Sequence, residues 1–207
     1  MKKKLVIAIG REFGSGGREI ARKVAKKLGI NVYDKELIGL IAKNSGMSEE
    51  VLKNVDETAT NSFLYALSSG AFSGSPIVGA GVTQLPITDK AFITCSNIIK
   101  DLAEKESCVI VGRCAESILK GRENLLTVFI SADLDQRIDR IVQFEKISRE
   151  EAAGVIKRAD KKRASYHNYY SDSRWGSRSA YDLCINSKIG IDTAVNIIVE
   201  AAKAFDK

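Results

Sequence analysis

The sequence has little of what metal-centred proteins require. It contains one histidine and four cysteines in 207 residues, and the cysteines are scattered without a Cys-x-x-Cys pair. Because zinc and metal-thiolate centres need clustered ligands, such a centre is not expected. Most of the cysteines lie in or beside apolar runs, so buried, unreactive thiols are the expected state of Cys95, Cys108, Cys114 and Cys184.

Long apolar runs are also missing. No stretch reaches the roughly 18 apolar residues that a membrane span needs. The start, MKKKLVIAIG, resembles the beginning of a signal peptide, but Arg11 and Glu12 follow an apolar run too short for export. We therefore expect a cytoplasmic protein without membrane contact.

What is present is a regular alternation of strand and helix patterns. Apolar runs predict strands over residues 4–10, 31–33, 107–112, 126–130 and 181–186. Helical spacing and capping residues predict helices over residues 20–28, 89–105, 115–119, 133–144 and 191–205, and others beginning at Asp34, Ser48 and Ser148. A small-residue stretch, 68–87, is typical of a loop. This alternation predicts an α/β fold with a parallel sheet covered on both faces, in one domain over residues 1–207.

Candidate functional residues follow the ends of predicted strands. The segments 10–17, 112–113 and 131–133 each begin where an apolar run stops. Open parallel sheets bind ligands at the carboxyl ends of their strands. We therefore expect these three segments to share one edge of the sheet.

The glycine loop, defined as Gly14, Ser15, Gly16 and Gly17, joins the first strand to the first helix. At such a helix start the backbone N–H groups attract phosphate, and glycine permits positive φ and close approach. Half of residues 11–18 are Gly or Ser, which exceeds the need of a tight turn. The loop predicts a phosphate site, with a ligand-free turn as the alternative.

Two phosphate-binding patterns fit this loop in part. The dinucleotide pattern GxGxxG fails at Glu19, although Asp34 could imitate its ribose-binding acid. The pattern GxxxxGK[ST] places Arg11 at its first glycine, Gly17 at its lysine and Arg18 at its Ser/Thr. We expect Arg18 to restore the lost positive charge, and Arg11 and Glu19 to lie with the loop at the phosphates of ATP.

Residues 157–178 carry seven basic residues and two acidic ones within a net charge of +6. Arg158 and Lys162 share one face of the predicted helix, and Arg163 and His167 share a neighbouring face. This pattern favours a lid over a phosphate ligand, with a solvated helix face or a nucleic-acid surface as alternatives. Nearby tyrosines and Trp175 could stack on a base or pack against the core, and His167 is expected to be partly exposed.

Several segments together resemble the cytidylate kinase-like family, within the nucleoside monophosphate kinases of the P-loop group. They are GREFGSGGREIA (10–21), YDKE (33–36), VIVGR (109–113), Arg158-x-Asp160-x-x-Arg163-x-x-Tyr166, Trp175-Gly176 and YDLCIN (181–186). The resemblance implies a three-layer α/β/α P-loop NTPase-like domain with a helical lid at about 148–178. It further implies an acceptor-binding insert at about 34–106.

The resemblance also implies a reaction. ATP with Mg²⁺ would donate a phosphoryl group to a pyrimidine nucleoside monophosphate, and nucleic acid is not an expected partner. Arg113 matches the arginine of the Asp-Gly-Arg motif that contacts the acceptor in true cytidylate kinases. Asp34 and Asp160 are further acceptor-binding candidates. The catalytic candidates are Arg18 and, in the lid, Arg158 and Arg163.

Two departures from the family pattern concern catalysis. Gly17 replaces the P-loop lysine, and Val111 replaces the acid before Gly-Arg, so Glu19 or Asp34 becomes the candidate metal ligand. Loss of a transition-state charge contact commonly costs two or more orders of magnitude in rate. A nucleotide-binding regulator or degenerate kinase is therefore the main alternative to an active cytidylate kinase. A nucleic-acid-binding module is a third, distinguished by steep salt dependence.

Overall fold

A computed structural model of the protein describes residues 4–34, 36–45 and 87–205. The short helix predicted from residue 48 and the small-residue stretch up to residue 86 lie outside these ranges. So does most of the predicted acceptor-binding insert.

The described strands form one parallel sheet. They are β1 (Val6–Arg11), β2 (Asn31–Tyr33), β3 (Cys108–Val111), β4 (Leu125–Ser131) and β5 (Leu183–Asn186). Their order is β2-β3-β1-β4-β5, and every neighbouring pair is parallel. The predicted parallel sheet is confirmed.

Helices cover both faces of this sheet. They are α1 (Gly17–Leu28), α2 (Glu36–Ser45), α3 (Ile87–Lys105), α4 (Ala115–Ile118), α5 (Leu134–Glu145), α6 (Arg149–Tyr170) and α7 (Ile191–Phe205). Alternate residues of β1 point to opposite faces, so Ile7 and Ile9 pack with α1 and α7, whereas Val6 and Ala8 pack with α2 and α3. The predicted three-layer α/β/α architecture is confirmed.

A third apolar cluster holds α5 and α6 together beyond the edge of the sheet. Its buried members are Ile138, Ile141, Ala152 and Ile156, and Phe13 from the segment before the glycine loop packs against them. At the far end of α6, the Tyr170 ring stacks on Phe92 of α3 with centroids 3.9 Å apart. The Tyr170 hydroxyl also donates to Asp89 Oδ1 at 2.7 Å. Helix α6 is thus attached at both ends and passes over the carboxyl ends of the strands.

The predicted common edge is confirmed by the strand register. Ile9 of β1 lies opposite Val111 of β3, and Arg11 lies opposite Ile130 of β4. Because these pairs are parallel, the glycine loop, the Gly112-Arg113 turn and the segment after Ser131 leave the sheet side by side.

One predicted helix cap has another role. Asp133 is at the N-cap position of α5, but its carboxylate accepts a hydrogen bond from Asn186 Nδ2 at 2.8 Å and makes no capping bond. Here a partner distant in sequence competes successfully with the local backbone. Asp34, the predicted cap of the next helix after β2, forms an ion pair with Arg18.

The prediction of four buried thiols is wrong at one position. Cys95, Cys108 and Cys114 are buried, whereas Cys184 is exposed. Burial raises the pKa of the Cys108 thiol to about 12, which suppresses the reactive thiolate. Cys184 differs because β5 is the last strand in the order of the described sheet, and residue 184 points outward from it.

Replacing the N-cap of α6 should destabilise the protein by a measurable amount. Ser148 Oγ accepts from the Glu151 N–H at 3.2 Å, and the Glu151 carboxylate accepts from the Ser148 N–H at 3.0 Å. Ser148→Ala removes the capping oxygen and should lower the melting temperature by about 2–4 °C. Ser148→Asp retains a capping oxygen and should melt within about 1 °C of the wild type. Equal loss in both variants would contradict a role for the cap.

Candidate functional site

A cavity of about 380 Å³ lies between the carboxyl ends of β1 and β3 and the overlying helix α6. This volume falls in the range of about 300–1,000 Å³ that is usual for small-molecule sites. Positive charge dominates its wall, which includes Arg11, Arg18, Arg113, Arg158, Lys162 and Arg163. Among the described lining residues Glu116 alone is acidic. The cavity is therefore suited to a ligand with several negative charges.

The glycine loop is flanked by two residues of the cavity wall, Phe13 and Arg18, and none of its own four residues is among the lining residues. Its shape is fixed by local contacts. Gly14 and Gly16 have φ values of 78° and 79°, which a residue with a side chain adopts only with strain. Ser15 Oγ donates to the Glu12 carbonyl at 2.9 Å, and Ser187 Oγ donates to the Ser15 carbonyl at 2.7 Å. The first N–H groups of α1 have no partner within the helix and form an anion-binding end next to the cavity.

Two arginines converge on Asp34, whose side chain is 6% exposed. Arg18 forms an ion pair with this carboxylate, and Arg11 Nη2 lies 3.7 Å from Asp34 Oδ1. Burial, and next the charge of Arg163, lower the pKa of the Arg11 guanidinium to about 9, while Asp34 offsets part of that effect. The Asp34 carboxylate thus neutralises part of the positive charge at the cavity wall, and an excess of positive charge remains.

The predicted metal candidates are both engaged by cations. Glu19 forms ion pairs with Arg140 and, at 3.4 Å, with Lys23, whereas Asp34 is held by the arginines described above. Within the part of the chain that the structure describes, no group of three or more His, Cys, Asp or Glu residues is placed to hold a metal ion. Both carboxylates are thus already paired with basic side chains in this structure.

Arg113 is presented to the cavity by an unusual turn after β3. Gly112, Arg113 and Cys114 all have positive φ, at 75°, 62° and 57°. Two consecutive non-glycine residues in this region carry strain of about 1–3 kcal/mol each, and such strain clusters at functional sites. The Ala115 N–H closes the turn on the Gly112 carbonyl at 3.2 Å. The turn places Arg113 on the cavity wall.

Helix α6 is tied directly to the segment that leads into the glycine loop. Asp160 Oδ1 accepts from the Phe13 N–H at 2.7 Å, and Asp160 Oδ2 accepts from Arg137 Nη1 at 2.5 Å. Arg163 Nη1 donates to the Arg11 carbonyl at 3.1 Å. These contacts place α6 over the strand ends, with Arg158, Lys162 and Arg163 on the cavity wall. Arg163 is half-buried there, whereas Arg158 and Lys162 are also exposed to solvent.

A buried Glu–His pair was missed by sequence reasoning. His167, predicted to be partly exposed, is 4% exposed, and its Nε2 lies 2.7 Å from Glu116 Oε1. Glu116 is 7% exposed, in α4 directly after the Arg113 turn. The prediction was wrong because a contact between residues 51 positions apart leaves no local pattern. The pair joins α6 to α4 about two turns further along α6 than Asp160.

The aromatic residues near the basic segment pack mainly against one another. Tyr166 meets Tyr170 edge-on at 5.0 Å between centroids, and Trp175 meets Phe129 edge-on at 5.4 Å. Tyr166 and Trp175 also contribute to the cavity wall. Their rings provide an apolar part of the wall beside the arginines.

Comparisons with known proteins agree with this architecture. A model of the cytidylate kinase-like family matches residues 6–189. A crystal structure of an uncharacterized protein from Eubacterium ventriosum is 33% identical, with a TM-score of 0.72 over 97% of this chain and 99% of that one. No curated protein gives a significant match.

More distant solved structures share the fold. A shikimate kinase from Bacteroides thetaiotaomicron is 16% identical, with a TM-score of 0.52 over 96% of this chain and 98% of that one. A gluconokinase from Sinorhizobium meliloti is 10% identical, with a TM-score of 0.54 over 99% and 94%. The chain thus has the α/β fold found in these P-loop kinases. No helix among the described residues is long and apolar enough to cross a membrane.

Removing the histidine of the buried pair should destabilise the protein. His167→Ala leaves the Glu116 carboxyl buried without its partner, which should lower the free energy of unfolding by about 1–3 kcal/mol. Chemical denaturation followed by circular dichroism measures the effect. Lys161→Ala, an exposed position on the same helix, is the control and should change stability by less than about 0.5 kcal/mol. A His167→Ala variant as stable as the control would contradict the structural role of the pair.

Proposed function

The chain belongs to the cytidylate kinase-like family, and on that premise we propose that it transfers the γ-phosphoryl group of ATP to a nucleoside monophosphate, CMP or dCMP. The observation that carries the proposal is the charge of the cavity, with six cationic side chains against one carboxylate. Phosphoryl transfer depends mainly on positioning and charge neutralisation, which such a wall supplies.

The glycine loop is the proposed site of the donor phosphates. Its N–H groups at the start of α1 provide hydrogen-bond donors that do not depend on a lysine side chain. Mg²⁺ would enter with ATP, held by phosphate oxygens and water, and would neutralise charge on the phosphates. The pairing of Glu19 and Asp34 with arginines supports this view over a metal bound by either carboxylate.

Arg113 is the proposed contact to the acceptor phosphate. A phosphate monoester has a second pKa near 6, so it is mostly deprotonated at neutral pH and needs no general base. A hydroxyl acceptor would need one, and the carboxylate among the described lining residues, Glu116, is bonded to His167. The composition of the wall therefore favours a phosphate over a hydroxyl as the nucleophile.

The transfer step follows from this arrangement. A phosphate oxygen of the acceptor forms a bond to the γ-phosphorus as the bond to the β–γ bridging oxygen breaks. ADP leaves with that electron pair. Arg158 and Arg163 would stabilise the charge spread over the transferring group. In this proposal residues 148–178 form the lid, and residues 34–106 contribute the acceptor-binding insert.

Asp160 receives a different proposed role from the one its sequence pattern suggests. Both of its carboxylate oxygens are used by Phe13 and Arg137. We propose that it positions α6 on the loop rather than touching the acceptor.

A nucleotide-binding protein with little turnover is the second candidate. The observation that favours it is Gly17 at the position of the P-loop lysine. Both candidates predict ATP binding, and they differ in whether ADP appears.

Turnover is tested by incubating the protein with ATP, Mg²⁺ and a panel of acceptors while ADP is measured. The panel holds CMP, dCMP, UMP, AMP, GMP, cytidine, shikimate and gluconate. We expect ADP with CMP or dCMP, together with the corresponding diphosphate. ATP binding without acceptor-dependent ADP would favour the regulator, and activity with shikimate or gluconate alone would contradict a phosphate acceptor.

Replacing Arg113 should act on the acceptor. Hydrogen bonds to charged groups contribute about 1.5–3 kcal/mol, so Arg113→Ala should lower kcat/KM for CMP about 10- to 150-fold while changing KM for ATP little. Arg113→Lys keeps the positive charge but lacks the forked guanidinium group. Its kcat/KM for CMP should therefore lie between the values of the wild type and Arg113→Ala. Arg149→Ala, at an exposed arginine paired with Asp135, is the control. An unchanged kcat/KM in Arg113→Ala would remove Arg113 from the acceptor site.

A further inference from the structure

Gly17 is required by packing rather than by backbone conformation. It is the first residue of α1, and its φ is not among the positive values. A Cβ atom built on Gly17 would lie 2.6 Å from the Cβ of Arg11 and 3.3 Å from the Cβ of Ile130. No side chain fits there while residue 11 carries a Cβ atom, as Arg11 does. The absence of a lysine at position 17 is therefore linked to the presence of Arg11 at position 11.

The Arg11 side chain runs from the end of β1 toward the end of β3. A Cβ atom on Gly112 would overlap its Nη1. Two glycines, Gly17 at the start of α1 and Gly112 after β3, thus leave space for the same side chain. Its guanidinium lies where the helix start, the Gly112-Arg113 turn and the cavity meet.

The surroundings of Arg11 contain more positive charge than negative charge. Arg163, Arg18 and Arg113 all act on it, and each lowers its pKa, whereas Asp34 raises it. An anion at this point would relieve the repulsion, and the Arg11 side chain, at 17% exposure, would bind it in a largely desolvated setting.

We infer that Arg11 supplies from the end of β1 the positive charge that a P-loop lysine supplies from the start of the helix, and that Gly17 is the glycine this replacement requires. The inference rests on the proposed function, since it assigns Arg11 to the phosphates of the donor nucleotide. It also revises the expectation for Arg18, whose guanidinium is on the Asp34 carboxylate and whose side chain is 43% exposed. Arg18 then acts as a positioning residue that holds Asp34 beside Arg11.

A reciprocal exchange tests the inference. Arg11→Gly removes the charge together with the Cβ that lies against position 17, so the affinity for ATP and kcat should each fall at least about tenfold. In the double variant Arg11→Gly/Gly17→Lys a lysine returns to the helix start, and the ATP affinity should recover by about tenfold relative to Arg11→Gly. Gly17→Lys alone places a side chain against Arg11 and should not improve on the wild type. Arg22→Ala, an exposed arginine one turn further along α1, is the matched control.

Binding and turnover are measured separately so that two failures can be distinguished. Calorimetry measures the affinity of each variant for ATP and for inorganic pyrophosphate, and this does not require turnover. If the wild type forms no ADP, the proposed function fails, but the assignment of Arg11 to the donor phosphates is still tested. Melting curves identify variants that do not fold, and Arg11→Lys then replaces Arg11→Gly, with an expected affinity between those of the wild type and Arg11→Gly. Unchanged ATP and pyrophosphate affinity in a folded Arg11 variant, or a double variant no better than Arg11→Gly, would overturn the inference. Rescue of Arg18→Ala rather than Arg11→Gly by Gly17→Lys would assign the role to Arg18.

Discussion

Repulsion among the arginines at the carboxyl edge of the sheet is the constraint on which the rest of the site depends. Guanidinium groups from β1, α1, the turn after β3 and α6 face one cavity. Asp34 and Asp160 hold some of these elements together, and backbone carbonyls of residues 11 and 13 accept from Arg163 and Arg137. The remaining excess of positive charge costs stability in the free protein, and a polyanionic ligand would offset that cost on binding.

If repulsion among the arginines governs the site, the surrounding structure must hold α6 in place. The cluster that joins α5 to α6, the Asp160 contacts and the His167–Glu116 pair attach the basic helix at several points. Each attachment acts against the tendency of α6 to move away from the positively charged strand ends. The buried pair and the Asp160 contacts are thus means of assembling the site.

Local patterns predicted most of the fold. Apolar runs identified every strand of the described sheet, and the glycine at position 29 correctly ended α1, where its N–H caps the Ala25 carbonyl. The interactions that sequence reasoning missed all join distant residues: Asp34 with Arg18, Asp133 with Asn186, and Glu116 with His167. Sequence reasoning also did not predict that Arg11 lies against Gly17. Comparison with the known motif shows that the lysine is absent at position 17, but not that the Arg11 side chain fills the space beside it. Helices and strands are predicted from periodic, local sequence patterns. The geometry of the site depends instead on which residue, distant in sequence, each charged side chain contacts.

The central claim is that the cationic cavity receives the phosphate of a nucleotide acceptor beside the glycine loop. A crystal structure of the protein with ADP and CMP tests it most directly. The account predicts the CMP phosphate within about 2.7–3.2 Å of Arg113, with the β-phosphate of ADP on the N–H groups of the glycine loop and facing Arg11. CMP bound outside this cavity, or ADP phosphates away from the glycine loop, would contradict it.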